Sequence, residues 1–129
     1  MPGTISIGRV GFRGLKAIKD EGADVKVVCT KLTDPVLIRG PTGKVVGKRH
    51  MTLAQVKEEL LRDQHDATMA LVQKVVDATQ DGKRVCVMCM QGKHRSQAVA
   101  SIACEVLVKE HAGVEYSGPV YLGGITKTQ

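Results

Sequence analysis

Apolar residues along the chain recur with two different periods, and the switches between them lay out the elements in order. Thr4–Val10 alternates and is β-branched, which predicts a strand. Gly11–Gly14 is a glycine-punctuated turn, and Leu15–Asp20 sets Leu15 and Ile18 three apart, a short helix closed by Gly22. Asp24–Leu32, with Val25, Val27, Val28 and Cys29, reads as a second buried strand. Between Thr33 and Met51 no period survives. Asp34-Pro35, Gly40-Pro41, Gly43 and Gly47 interrupt it, so the segment reads as a long loop with one short strand at Val36–Ile38.

Thr52 caps a helix whose apolar positions Leu53, Val56, Leu60, Ala67, Leu71 and Val75 keep three-and-four spacing, which predicts one helix running to about Thr79. After the Asp81-Gly82 turn, Arg84–Met90 is almost wholly apolar, as a central parallel strand is, and Ser96–Glu110 returns to helical spacing. Val114–Leu122 reads as a last strand, interrupted at Gly118-Pro119. Strands alternating with helices predict an α/β three-layer sandwich with a mostly parallel sheet of about four strands. In such a sheet ligands bind at the carboxyl ends of the strands. The 129 residues suit a single domain, 1–129.

Composition narrows the chemistry. Nineteen Lys and Arg against thirteen Asp and Glu give a net charge of +6, which favours anionic partners: a phosphate-bearing small molecule, a nucleotide or RNA. One Phe, two Tyr and no Trp exclude a module that stacks bases on an aromatic platform. The start lacks a signal pattern and no apolar run approaches the roughly 18 residues of a membrane span, so a reduced, cytoplasmic protein with no membrane partner is expected.

The most informative stretch is Val85–Ser96, a buried strand followed by Cys89, five residues, Arg95 and Ser96, and then a helix. Such a C-x5-R-S loop has a physical logic. The backbone amides of Met90, Gln91, Gly92, Lys93, His94 and Arg95 can curl around an oxyanion, the next helix adds its unsatisfied amides, and Arg95 forks onto two oxygens. The same field lowers the pKa of a cysteine such as Cys89, and Ser96 can bond its sulfur or cap the helix. A Cys followed six residues later by an Arg is weak by itself; the glycine within, the Ser after and the flanking strand and helix make it specific.

Cys86, Cys89 and His94 have the spacing of three zinc-knuckle ligands, but Val99 stands where the fourth belongs, and two cysteines three apart in a strand face opposite sides. No metal and no cofactor is therefore expected. Cys29 and Cys104 read as core residues.

With these residues in view, the chain resembles the RapZ C-terminal domain family, in which a strand leads into Cys-x-Gly-Gly-(Lys or Gln)-His-Arg-Ser and a helix. Cys89, Gly92, Lys93, His94, Arg95 and Ser96 match that motif, and Arg39-Gly40-Pro41-Thr42-Gly43 is similar to the family's Arg-x-x-Thr-Gly segment. Asp34-Pro35 stands where the family carries Asn-Pro, and Gln91 replaces the first glycine of its pair. The resemblance implies a phosphate-dependent binding domain, associated in that family with phosphorylated amino sugars and RNA; the family's ATP-binding N-terminal domain has no room in these residues. More distantly, the loop is similar to that of cysteine-dependent phosphatases. That likeness implies Cys89 as nucleophile, Arg95 as phosphate clamp and a separate Asp as general acid, for which Asp34 is the best placed. Met88 stands where many such enzymes have a His.

Three function classes follow. Binding of a phosphomonoester comes first, and catalysis by a cysteine phosphatase competes with it. A third reading is an RNA-backbone binder, drawing on the basic run Arg39, Lys44, Lys48, Arg49 and His50, or a subunit of a larger assembly or homo-oligomer.

Overall fold

The computed structural model describes residues 3–10, 22–90, 94–110 and 119–120. Along the chain these form β1 (Thr4–Arg9), β2 (Val25–Val28), β3 (Leu37–Arg39), β4 (Val45–Lys48), α1 (Leu53–Asp63), α2 (His65–Gln80), β5 (Arg84–Cys89), α3 (Arg95–Glu110) and β6 (Pro119–Val120). The apolar run Arg84–Cys89 becomes a central strand, buried from Val85 onward. It is flanked by β2 and β1, and β6 closes the order β2-β5-β1-β6 with every pairing parallel. The α/β class and the parallel four-stranded sheet thus stand as the alternation of elements implies.

Helices α1, α2 and α3 touch one another, and both α2 and α3 pack on β1 and β5, so the three share one face of the sheet. Handedness requires this. The crossovers β2→β5 and β5→β6 step in the same direction along the sheet, and right-handed connections in one direction lie on one side. The connection β1→β2 steps the opposite way. Its helix, expected at Leu15–Asp20, is outside the described residues, so the described helices constitute one layer.

Period-two alternation sorts the central strands. Ile5 and Ile7 of β1, Val27 of β2, and Val85, Val87 and Cys89 of β5 join the core beneath the helices. Cys86 and Met88 point to the other face, where a Cβ on Gly8 of β1 would lie 2.6 Å from the Cys86 sulfur. Small residues Ala98, Ala100 and Ala103 on α3, all fully buried, let that helix approach the sheet closely. No helix of the described residues is long and apolar enough to cross a membrane.

Three elements depart from the sequence expectation. The long loop contains an antiparallel hairpin, β3 with β4, in place of a single short strand. Its turn is Gly40-Pro41-Thr42-Gly43, with Gly43 at φ +82°, a conformation that favours glycine, and hydrogen bonds Gly43 N–H to Gly40 O and Gly40 N–H to Lys44 O. The expected single helix from Thr52 is two, broken at Gln64, whose φ of −136° and ψ of 42° leave the helical region. The second strand is shorter than Asp24–Leu32, because Leu32 N–H turns back to Cys29 O. The last strand is described only at Pro119–Val120, where it pairs with Ile5 and Ser6.

Candidate functional site

The site stands at the carboxyl end of the central strand. β5 ends at Cys89, whose carbonyl accepts from Val10 N–H at 3.0 Å and whose side chain turns to the helix face, 2% exposed. The chain re-enters the described region at His94, whose carbonyl receives Ala98 N–H at 3.0 Å and so opens the first turn of α3. Ser96, in that turn, is wholly buried and sets its Oγ 3.2 Å from Cys89 Sγ. The strand-to-helix passage therefore brings a thiol, a hydroxyl and the N-terminal end of a helix dipole together.

Arg95 reaches across to the loop after β2. Its Nη1 donates to Thr30 O at 3.0 Å and to Leu32 O at 2.8 Å. Its Nε is buried and has no hydrogen-bond partner among the described residues. A cation held at one nitrogen by neutral carbonyls, with a second donor unanswered, is an electrostatic demand for an acceptor.

Asp34, from the same loop, answers His94. Oδ2 lies 2.8 Å from His94 Nδ1, and Oδ1 accepts Val36 N–H at 3.0 Å in a local turn that Pro35 favours. Burial pushes the Asp34 pKa up, but the bond from His94, the Val36 amide and the nearby charges of His94 and Arg95 outweigh it, and the net shift is downward. The carboxyl is therefore ionised at neutral pH. An ionised carboxylate only accepts hydrogen bonds, so Nδ1 of His94 carries a proton and Nε2 is the ring nitrogen left for other partners. Asp34 thus stands in the pocket lining and accepts a hydrogen bond from His94 Nδ1.

These groups enclose a pocket of about 80 Å³, lined by Cys89, Met90, His94 and Arg95 on one side and by Asp34, Leu37 and Lys48 on the other. Leu37 and Lys48 are register partners across the hairpin, so the β3–β4 unit forms the far wall and delivers a cation. Lys48 and Arg95 are positive and Asp34 negative. The pocket is cationic before His94 is counted. A shallower depression of about 370 Å³ shares Asp34 and Leu37 and extends over Gln64, Asp63 and Glu59.

Two contacts hold the outer wall. Gln64, at the break between α1 and α2, donates Nε2 to Thr33 O and accepts Thr33 N–H on Oε1, both at 2.8 Å. Arg49 grips Glu59 with two bonds of 2.7 Å and donates to Pro35 O at 3.3 Å. Of the basic run, Arg49 is thereby neutralised, and Arg39 donates to Gly43 O within the hairpin turn at 2.7 Å.

Of the expected anion-loop residues, Met90, His94, Arg95 and Ser96 stand at or beside the pocket with Cys89. Gln91, Gly92 and Lys93 lie outside the described residues. Cys86 and Cys89 face opposite sides of β5, and among the described residues no group of three or more His, Cys, Asp or Glu side chains is arranged to hold a metal ion. Cys29, just past the end of β2, lies near Cys89, its thiol pushed up to about 12 by burial and by Cys89, and it is part of the core.

No family model, curated protein or solved structure matches the chain. The function must be argued from the pocket itself. Sequence reasoning did not anticipate the Thr30 and Leu32 carbonyls, Leu37, or the partnership of His94 with Asp34. The two carbonyls and Leu37 carry no distinctive side-chain chemistry, and sixty residues separate His94 from Asp34.

Proposed function

We propose that the chain binds the phosphoryl group of a phosphomonoester in the pocket between Cys89 and the β3–β4 hairpin. The observation that carries this reading is Arg95: a guanidinium fixed at Nη1 by two backbone carbonyls, with a buried Nε that no described residue answers, beside a pocket that Lys48 also lines. A phosphoryl oxygen supplies the missing acceptor, and the first turn of α3 adds its partial positive charge. The volume of about 80 Å³ suits a single small anion rather than a chain of them. The resemblance to the RapZ C-terminal domain points to the same ligand chemistry.

Hydrolysis of that phosphomonoester is a second reading, favoured by one observation: Ser96 Oγ, 3.2 Å from Cys89 Sγ, is placed to donate to a thiolate. RNA-backbone binding draws less support, since Arg49 and Arg39 are engaged within the protein.

Inorganic phosphate at millimolar concentration is expected to raise the melting temperature of the wild type by several degrees, against potassium chloride of equal ionic strength. Arg95→Lys keeps the charge but loses the fork, and should lose most of that rise. An equal rise with chloride, or one unchanged in both Arg95→Lys and Lys48→Ala, contradicts the reading.

A further inference from the structure

The arrangement around His94 goes further than anion binding. His94 and Asp34 come from segments sixty residues apart, meet at 2.8 Å, and keep side-chain exposures of only 13% and 9%. Surface pairs of His and Asp in this protein are unlike it: His65 and Asp66 meet at 3.3 Å, are adjacent in sequence, and are largely exposed. A buried pair drawn from distant segments constrains both rings of geometry that matter, the orientation of the imidazole and its tautomer.

Because Asp34 fixes the proton on Nδ1, the other nitrogen, Nε2, is the one that can exchange a proton with a ligand. His94 lines the same small pocket as Cys89 and Arg95, so a phosphoryl group seated against Arg95 has the thiol and the imidazole as immediate neighbours. We propose that His94 is the proton donor of a phosphomonoester hydrolysis in which Cys89 is the nucleophile, with Asp34 as its positioning residue. This rests on the phosphate-binding reading above and names a reaction for that site.

The step balances as follows. Cys89 Sγ, as thiolate, forms a bond to phosphorus while the bond from phosphorus to the ester oxygen breaks, and that oxygen takes the proton of His94 Nε2 to leave as an alcohol. Neutral His94 then takes a proton from water as the water oxygen attacks phosphorus. The sulfur–phosphorus bond breaks, inorganic phosphate leaves, and Cys89 returns to thiolate, the Ser96 hydroxyl donating to it. Arg95 Nε and Lys48 face the charge that develops on the phosphoryl oxygens. The charged and titratable groups about His94 are Asp34 from the loop after β2, Lys48 from β4, Cys89 from β5 and Arg95 from α3.

A donor matters only when the leaving oxygen is a poor one, which gives the test. Turnover of 4-nitrophenyl phosphate and of phenyl phosphate is measured from pH 5 to 8 for the wild type, His94→Gln, Asp34→Asn and Cys89→Ser, with the phosphate-induced melting shift recorded for each. Cys89→Ser should abolish both reactions. In His94→Gln, phenyl phosphate turnover should fall by about a hundredfold or more, within the range of general acid catalysis, while 4-nitrophenyl phosphate falls less than tenfold and the alkaline limb of the pH profile disappears. Asp34→Asn should lower phenyl phosphate turnover more than 4-nitrophenyl phosphate turnover, as loss of the positioning bond to His94 requires. Equal losses on both substrates overturn His94 as donor. Absence of turnover in the wild type, with the phosphate shift intact, overturns the hydrolysis and leaves binding standing; absence of the shift as well overturns both.

Discussion

Gln64 and Thr33, thirty-one positions apart, exchange two hydrogen bonds of 2.8 Å, so that a side chain at a helix break closes on the backbone of the loop that carries Asp34. Gln64 leaves the helical region at the one point where that loop passes, and α1 and α2 continue on either side. The break therefore does for the loop what a strand neighbour does for a strand: it satisfies both backbone groups of one residue. Gln64→Ala should lower stability by about 1 kcal/mol, the scale of modest, exposed hydrogen bonds. It should also weaken phosphate binding several-fold, because Asp34 is one residue from the released Thr33. A melting curve and a phosphate titration on the same variant check both, and unaltered binding would mean that the loop is held elsewhere.

The ionisation of Asp34 links the site to acid stability. Its folded pKa lies below the ordinary value of 3.8. A carboxyl shifted in that direction contributes stability that is fully present above the unfolded value and is lost as pH falls from there through the folded value. Wild type should accordingly lose stability below about pH 4, and Asp34→Asn should show a shallower decline over the same window. Denaturant midpoints at several pH values between 2 and 6 read this directly; parallel curves for the two proteins would contradict it.

The start of α1 has a reciprocal cap. Thr52 Oγ1 accepts Gln55 N–H at 3.2 Å, while Gln55 Oε1 accepts Thr52 N–H at 2.9 Å. Thr52→Ala removes the first bond and should cost about 0.5–2 kcal/mol. Since the cap is exposed and Thr52 does not line the pocket, phosphate affinity should hold, which separates this variant from Gln64→Ala.

Backbone proximity at the opposite end of the sheet sets another constraint. A Cβ on Gly3 would lie 1.7 Å from the carbonyl oxygen of Lys83, and Gly3 N–H meanwhile donates to Thr79 O at 2.8 Å. A side chain there has to push one backbone off another. Gly3→Ala should destabilise by about 1–3 kcal/mol, as overpacked positions do, seen as a lower denaturant midpoint with an unchanged slope. A midpoint equal to the wild type's would show that the amino-terminal end of β1 yields freely.

The fold was legible where one force dominated. β5 announces itself because burial on both faces demands an uninterrupted apolar run, and α3 because its apolar positions repeat with helical spacing. The hairpin did not, since Leu37–Arg39 and Val45–Lys48 are short and mostly exposed, and the turn between them shows the same Gly-Pro and Thr-Gly pairs as any loop. Nor did the break at Gln64: no Gly or Pro marks it, Val56 and Leu60 keep helical spacing with Thr68 and Val72 across it, and the residue departs because of a partner thirty-one positions earlier. At the site, the neighbours Cys89, Arg95 and Ser96 were readable from spacing. Asp34 is legible as a carboxylate on the long loop, whereas its bond to His94, sixty residues away, is not. Lys48 stood in the sequence as one cation among several, and only the register with Leu37 brings it to the pocket.

The most direct test of the phosphate reading is a crystal structure of the protein grown or soaked with inorganic phosphate. The account predicts a tetrahedral anion in the pocket with one oxygen about 3 Å from Arg95 Nε, a second within reach of the first turn of α3, and Lys48 turned toward it from β4. An empty pocket at saturating phosphate, or an anion bound only on the exposed tip of the hairpin, would contradict it.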